Sequence, residues 1–170
     1  MSILLVSGSA RSASSNRQLM AAVAAGFPDY DFTPFNGLID LPLFRPEMDH
    51  APWPTEVTEW RNSLQVASAV IFSTPEYLRN LPAVLKNALE WVSTSGELAG
   101  KPVLAITFTP HAPRGERARQ SLTWSLGALD ARIVAELPLY QNEMTSENGH
   151  LILSPDSKEM FAEALKLLIS

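Results

Sequence analysis

The sequence predicts a single α/β domain, with a parallel sheet covered by helices on both faces. Strand-like and helix-like patterns alternate five times, and Ala69-Val70-Ile71-Phe72 is an uninterrupted apolar run of the kind a central strand buried on both faces requires. With 170 residues, 46% of them hydrophobic, the chain can build one well-buried core but not two ordinary domains. Units of this kind join through right-handed crossovers, and their ligands bind beyond the carboxyl ends of the strands.

Taken in order, Ile3 to Val6 is a short apolar strand. A polar turn from Ser7 to Asn16 leads to a helix from Arg17 to Ala25, where Leu19, Met20, Val23 and Ala24 recur at helical spacing and Gly26-Phe27-Pro28 ends the run. Asp31 to Phe35 reads as the second strand, closed by Asn36-Gly37. The proline-rich loop Leu41 to Pro54 cannot be regular helix; its aromatic and aliphatic side chains suit a lid or an interface. Thr55 to Val66 reads as a helix with Thr55 as its cap and Val57, Trp60, Leu64 and Val66 apolar. After the Ala69 strand, Asn80 to Pro82 opens a helix with Val84, Leu85, Ala88, Leu89 and Val92 as its stripe. Val103 to Phe108 is a strand, Gly115 to Leu129 a helix, Arg132 to Leu137 a strand and Asp156 to Ile169 a final amphipathic helix.

Composition narrows the function. There are 18 acidic and 13 basic residues, a formal charge of -5, and the basic residues are scattered, so no footprint for nucleic acid is present. The absence of cysteine excludes disulfides, a thiol nucleophile and cysteine-ligated metal. The first apolar run is too short for a signal peptide or a membrane span, and a cytoplasmic location is the expectation.

Three turns should meet at the carboxyl ends of the strands: Gly8 to Asn16, Pro75 to Pro82, and Thr109 to Gly115. The first can hold an anion, through backbone N–H groups at a helix start, serine hydroxyls and Arg11; it reads equally well as an ordinary capped turn. It has neither the three glycines of a dinucleotide fingerprint nor the Gly-Lys-Ser/Thr of a Walker loop, and no Gly-x-Ser-x-Gly hydrolase elbow occurs in the chain.

Two motifs carry a resemblance. Gly8-Ser9-Ala10-Arg11-Ser12-Ala13-Ser14-Ser15-Asn16 resembles the Gly-Ser-x-Arg-x-x-Ser-x-Asn loop of NAD(P)H-dependent FMN reductases, a flavodoxin-like family that includes chromate and quinone reductases. Thr74-Pro75-Glu76-Tyr77, with Pro82 and Leu85-Lys86-Asn87-Ala88-Leu89-Glu90-Trp91, is similar to that family's second signature at the right separation. The resemblance implies a three-layer sandwich with a five-stranded parallel sheet of order 2-1-3-4-5. It also implies that Ser9, Arg11, Ser14 and Asn16 hold the FMN phosphate and that Pro75, Glu76 and Tyr77 lie along the flavin ring. Ser15, Leu78, Arg79, Asn80, Thr109 and His111 are further candidates for cofactor contact in the three turns. Lys86, Asn87, Glu90 and Trp91 are better explained by surface charge, capping and packing. The chain departs from the family pattern at Leu78, where an Asn is usual, at Ala83, where a Gly is usual, and in a bulkier, stiffer third turn.

The implied activity is electron transfer from NADPH or NADH through bound FMN to a small-molecule acceptor by a ping-pong cycle, with no catalytic side chain. Arg45, Arg79 and Arg114 are candidates for a nicotinamide phosphate. A homodimer or homotetramer is implied, and the apolar content of Leu41 to Trp53 with Trp60 would supply its contact patch. A flavodoxin-type electron carrier and a flavin-free binding protein on the same fold are the alternatives.

Overall fold

The computed structural model describes all 170 residues. Five parallel strands, β1 (Ser2–Ser7), β2 (Asp31–Phe35), β3 (Ala69–Thr74), β4 (Pro102–Thr109) and β5 (Arg132–Tyr140), form one sheet in the order β2-β1-β3-β4-β5. This is the expected flavodoxin-like order. All six residues of β3 are buried, as its unbroken apolar run requires.

Alternation along the strands builds a core on each face. On one, Leu4, Val6, Val70 and Phe72 pack against α2 (Thr55–Val66), α3 (Ala83–Glu90) and α4 (Glu116–Ala128) through residues such as Trp60, Leu85 and Leu122. On the other, Ile3, Leu5 and Ile71 meet α1 (Ser15–Gly26) and α5 (Pro155–Ile169) through Leu19, Val23, Phe161 and Leu165. A hairpin of β6 (Thr145–Glu147) and β7 (His150–Ile152), absent from the sequence reading, precedes α5.

Several boundaries differ from expectation, each for a local reason. α1 starts at Ser15 rather than Arg17 because Ser14 caps it, in place of the Ser15 or Asn16 cap that an ordinary turn would use. Pro54, not Thr55, occupies the cap position of α2, and Val66 is 77% exposed at its end instead of adding to the apolar stripe. α3 begins only at Ala83, because Pro82 is extended (φ -58, ψ 144). β5 runs three residues past Leu137, to Tyr140.

The proline-rich loop is pinned to the core at several points, while Leu43 stays 71% exposed. Pro42 O accepts from Asn87 Nδ2 (3.0 Å) and Trp91 Nε1 (2.7 Å), while Asn87 Oδ1 takes the N–H of Phe44 (2.7 Å). Phe44 meets Trp91 edge-on, and Arg61 covers the ring of Trp53 at 4.0 Å. Trp60 is fully buried and donates its Nε1–H to Ala88 O (2.8 Å), so it belongs to the core and not to a surface patch. Lys86 pairs with Glu90 on the surface of α3 (3.3 Å). The packing roles expected for Asn87 and Trp91 are those observed.

Candidate active site

The turns after β1, β3 and β4 are tied to one another by side chains. Gly8 donates its N–H to Ser73 O of β3 (2.8 Å), and a Cβ at Gly8 would stand 2.7 Å from Leu85 Cδ2. Glycine lets the first turn pass this close to α3. Ser14 then caps α1, its hydroxyl accepting the N–H of Arg17 (3.2 Å). The N–H groups of Ser15 and Asn16 keep no acceptor within the chain and carry the positive end of the helix dipole.

Asn16 is 1% exposed and works as a tie. Its Oδ1 accepts from Ser73 Oγ (2.6 Å), and its Nδ2 donates to Phe108 O (3.2 Å). One amide thus fixes the start of α1 to the carboxyl ends of β3 and β4. From the far edge Gln141, just past β5, donates Nε2–H to Ser15 Oγ (2.9 Å).

The second and third turns are joined by Glu76. Its Oε2 accepts the N–H groups of Arg117 (3.1 Å) and Ala118 (3.2 Å), capping α4 from another loop. α4 needs this help, because its own cap residue is Gly115, at φ 102, with no side chain. Alanine there would be strained and would meet Thr109 Cγ2 at 3.0 Å. Thr109 closes the third turn by donating its hydroxyl to Arg114 O (2.8 Å).

Beyond Glu76, Tyr77 and Asn80 exchange backbone hydrogen bonds (3.0 and 2.9 Å) across a two-residue turn. Both central residues are left-handed, Leu78 at φ 50 and Arg79 at φ 59, the signature of a type I′ turn. That turn favours Asn-Gly, so Leu78-Arg79 holds it under strain.

A cavity of about 280 Å³ opens among these turns. Ser9, Arg11, Ser15 and Asn16 bound it on one side, Pro75, Glu76 and Tyr77 on another, and Thr109, Pro110, Arg114 and Gln141 on a third. A second cavity, about 540 Å³, shares Glu76 and Arg114 with the first and adds Leu78, Arg79, Pro113, Glu116 and Arg117. None of Arg79, Arg114 and Arg117 is paired with a carboxylate.

Most of the candidate residues therefore converge, and three do not line either cavity. Ser14 lies beneath as the helix cap, Asn80 turns its Oδ1 to the N–H of Leu81 (2.8 Å), and His111 is exposed with Nδ1 3.0 Å from Ala112 O. Arg45 lines neither cavity. The sequence reading missed Gln141 as a site residue because it ended β5 at Leu137; a strand carried to Tyr140 would have brought Gln141 to a strand's carboxyl end.

The first cavity fits a phosphate-bearing cofactor. Two unpartnered helix N–H groups, the hydroxyls of Ser9 and Ser15 and the Arg11 guanidinium converge on it, and its single carboxylate, Glu76, is committed to α4. No group of three or more His, Asp or Glu side chains is placed to hold a metal, and no helix is long and apolar enough to cross a membrane.

Residues 1–144 match the NADPH-dependent FMN reductase family. The chain is 36% identical over 168 residues to the 2-hydroxy-1,4-benzoquinone reductase of a Burkholderia species, covering 94% of this chain and 89% of that one. It is 37% identical over 123 residues to the NADH:(hydroxy)cinnamate reductase subunit CrdA of Vibrio ruber; the match takes in 72% of this chain and spans 60% of that longer protein. In fold it resembles the flavoenzyme NAD(P)H:(acceptor) oxidoreductase FerB of Paracoccus denitrificans, with a TM-score of 0.78 at 21% identity, covering 98% and 94% of the two chains. The chain belongs to the NADPH-dependent FMN reductases, oxidoreductases that use FMN with NAD(P)H.

Proposed function

We propose that this protein passes electrons from NADPH or NADH through FMN to a small quinone-type acceptor in a ping-pong cycle. The FMN phosphate is held by Ser9, Arg11, Ser15 and the first N–H groups of α1, and the ring lies against Pro75, Glu76 and Tyr77. The observation that carries this reading is the convergence of helix N–H groups, hydroxyls and Arg11 on one cavity whose only carboxylate is already bonded.

FMN, when bound, supplies the centre that accepts a hydride and returns electrons. The side chains position and neutralise. Arg11 balances the phosphate charge, Asn16 keeps the start of α1 at the ends of β3 and β4, and Glu76 holds the second turn against the third. The neighbouring cavity, with Arg79, Arg114 and Arg117 unpaired, supports docking of the nicotinamide dinucleotide's phosphates and a preference for NADPH. Arg45 has no part in it. Donor and acceptor use the same opening in turn, which requires the oxidised nicotinamide to leave first. The 2-hydroxy-1,4-benzoquinone reductase from Burkholderia supports a quinone as acceptor. A homodimer or homotetramer rests on the family likeness, and Trp60, being buried, adds nothing to its contact patch.

The test is spectroscopic. The protein, incubated with FMN and desalted, should stay yellow, bleach anaerobically with NADPH and recover its colour with benzoquinone. Colour that neither NADPH nor NADH bleaches would favour an electron carrier, and loss of all flavin on desalting would overturn the proposal.

A further inference from the structure

Gln141 is the first residue after β5, and its side chain reaches a serine 126 positions earlier in the sequence. Its backbone is held on both sides. Met144 donates its N–H to Gln141 O (3.2 Å), and Asn142 donates to Pro110 O of the third turn (3.2 Å). From this anchor the amide crosses to the start of α1, where Nε2 donates to Ser15 Oγ (2.9 Å). Ser15 and Gln141 are both half-buried and both line the first cavity, so their bond lies on its wall.

A serine hydroxyl has one proton to give and two lone pairs to offer. One lone pair of Ser15 Oγ is taken by the Gln141 N–H, and no group of the chain accepts the Ser15 O–H. That proton is left for whatever occupies the cavity. The polarity of the bond decides what the wall presents. With the amide reversed, its oxygen would take the serine proton, and the wall would face a ligand with lone pairs. An anion at the start of α1, where the N–H groups of Ser15 and Asn16 lack acceptors, holds the amide in its donating orientation.

Resting on the reading that the phosphate occupies the first turn, we propose that Gln141 is a positioning residue: it sets the Ser15 hydroxyl as a donor to the FMN phosphate, and so makes the site select FMN over riboflavin. Arg11 contributes charge and the α1 N–H groups contribute direction. Gln141 contributes the polarity of a hydroxyl that is otherwise free to point either way, and it does so from the end of the last strand of the sheet.

The full chain, freed of flavin, is titrated with FMN and with riboflavin by flavin fluorescence. FMN should bind at least about tenfold more tightly than riboflavin. Gln141→Met keeps the length and loses the donor, and it should weaken FMN about fivefold, the scale of one hydrogen bond. Gln141→Glu keeps the shape, but its carboxylate accepts the Ser15 O–H and repels the phosphate, so the loss should reach about thirtyfold. It also carries the test should Gln141→Met not fold. Riboflavin affinity should stay within about twofold in both variants, and in a Ser15→Ala background Gln141→Met should cost nothing more. A merely structural role would move both flavins together. Equal losses for FMN and riboflavin, a full loss retained without the Ser15 hydroxyl, or FMN affinity unchanged in both Gln141 variants while Arg11→Ala weakens it, would overturn the proposal. Equal binding of FMN and riboflavin by the native protein, with Arg11→Ala also silent, would remove the phosphate from the first turn and overturn this role along with that reading.

Discussion

Glu76 and Arg117, 41 residues apart, are joined by a carboxylate oxygen that accepts the first-turn N–H of α4 at 3.1 Å. Ala118 donates to the same oxygen at 3.2 Å. A residue implied by family likeness to lie beside the flavin is therefore also the cap of a helix in the next crossover.

Removing that cap should be visible without any ligand. Glu76→Ala is expected to lower the unfolding free energy by about 1–2 kcal/mol, the scale of a lost N-cap assisted by the helix dipole. Glu76→Gln keeps an acceptor but loses the charge, so it should fall between Ala and the native residue. Urea unfolding of the three proteins measures this, and equal midpoints would mean that the bridge from Glu76 to α4 does not hold in solution.

The turn beyond it is strained and can be relieved. Leu78 is fully exposed at φ 50, so replacing it sacrifices no packing. Leu78→Asn should remove part of a left-handed penalty of roughly 1–2 kcal/mol. For a chain of this size a gain of about 1 kcal/mol raises Tm by about 2–4 °C. A fall in Tm would show that the side chain at position 78 makes contacts worth more than the strain.

The fold was legible from its central strands, whereas the edge strands β2 and β5 mix polar with apolar residues and show themselves mainly through the alternation with helices. Ala69 to Phe72 is apolar throughout, as a short strand covered on both faces accommodates, and β3 is buried along its length. The site was less legible. Ser14 and Asn16 were both expected to hold phosphate, yet a sequence does not say which oxygen of a Ser-Ser-Asn run turns inward; here Ser14 caps the helix and Asn16 braces two strands. Gln141 gave no signal of its own, since it reaches the site only through the length of β5. The hairpin was missed although Asn148-Gly149 is a turn signal, because Thr145-Ser146-Glu147 holds no apolar residue to mark a strand. Trp60 shows the limit in the other direction: its helical spacing pointed inward, and the hydrophobic surface credited to it was never there.

Asn16 should be costly to change in both stability and ligand binding. Asn16→Ala strands Ser73 Oγ and Phe108 O without their partner in a buried setting, a loss of about 2–4 kcal/mol when two unmade groups are counted. Asn16→Asp adds a carboxylate beside a carbonyl and next to the α1 N–H groups proposed to hold the phosphate, so it should weaken FMN binding further than Ala does. Chemical denaturation and FMN titration of the two variants test this; Asn16→Ala with native stability would remove the side chain from its bracing role.

Arg11 separates the site from the scaffold. It is exposed in the first turn, lines the first cavity and pairs with no carboxylate, so its truncation removes a charge from that cavity and leaves the core untouched. Arg11→Ala is expected to weaken FMN binding by about 1.5–3 kcal/mol, one charge-assisted hydrogen bond, with no change in the unfolding midpoint. Lys86→Ala is the matched control: it deletes a basic residue of similar exposure whose partner is Glu90 on the same helix, and FMN affinity should stay as it is. Flavin fluorescence quenching gives both constants. Equal affinity in the Arg11 variant would move the phosphate out of the first turn, whereas equal weakening in both variants would reduce the effect to net charge, because a long-range field does not distinguish the two cations and a direct contact does.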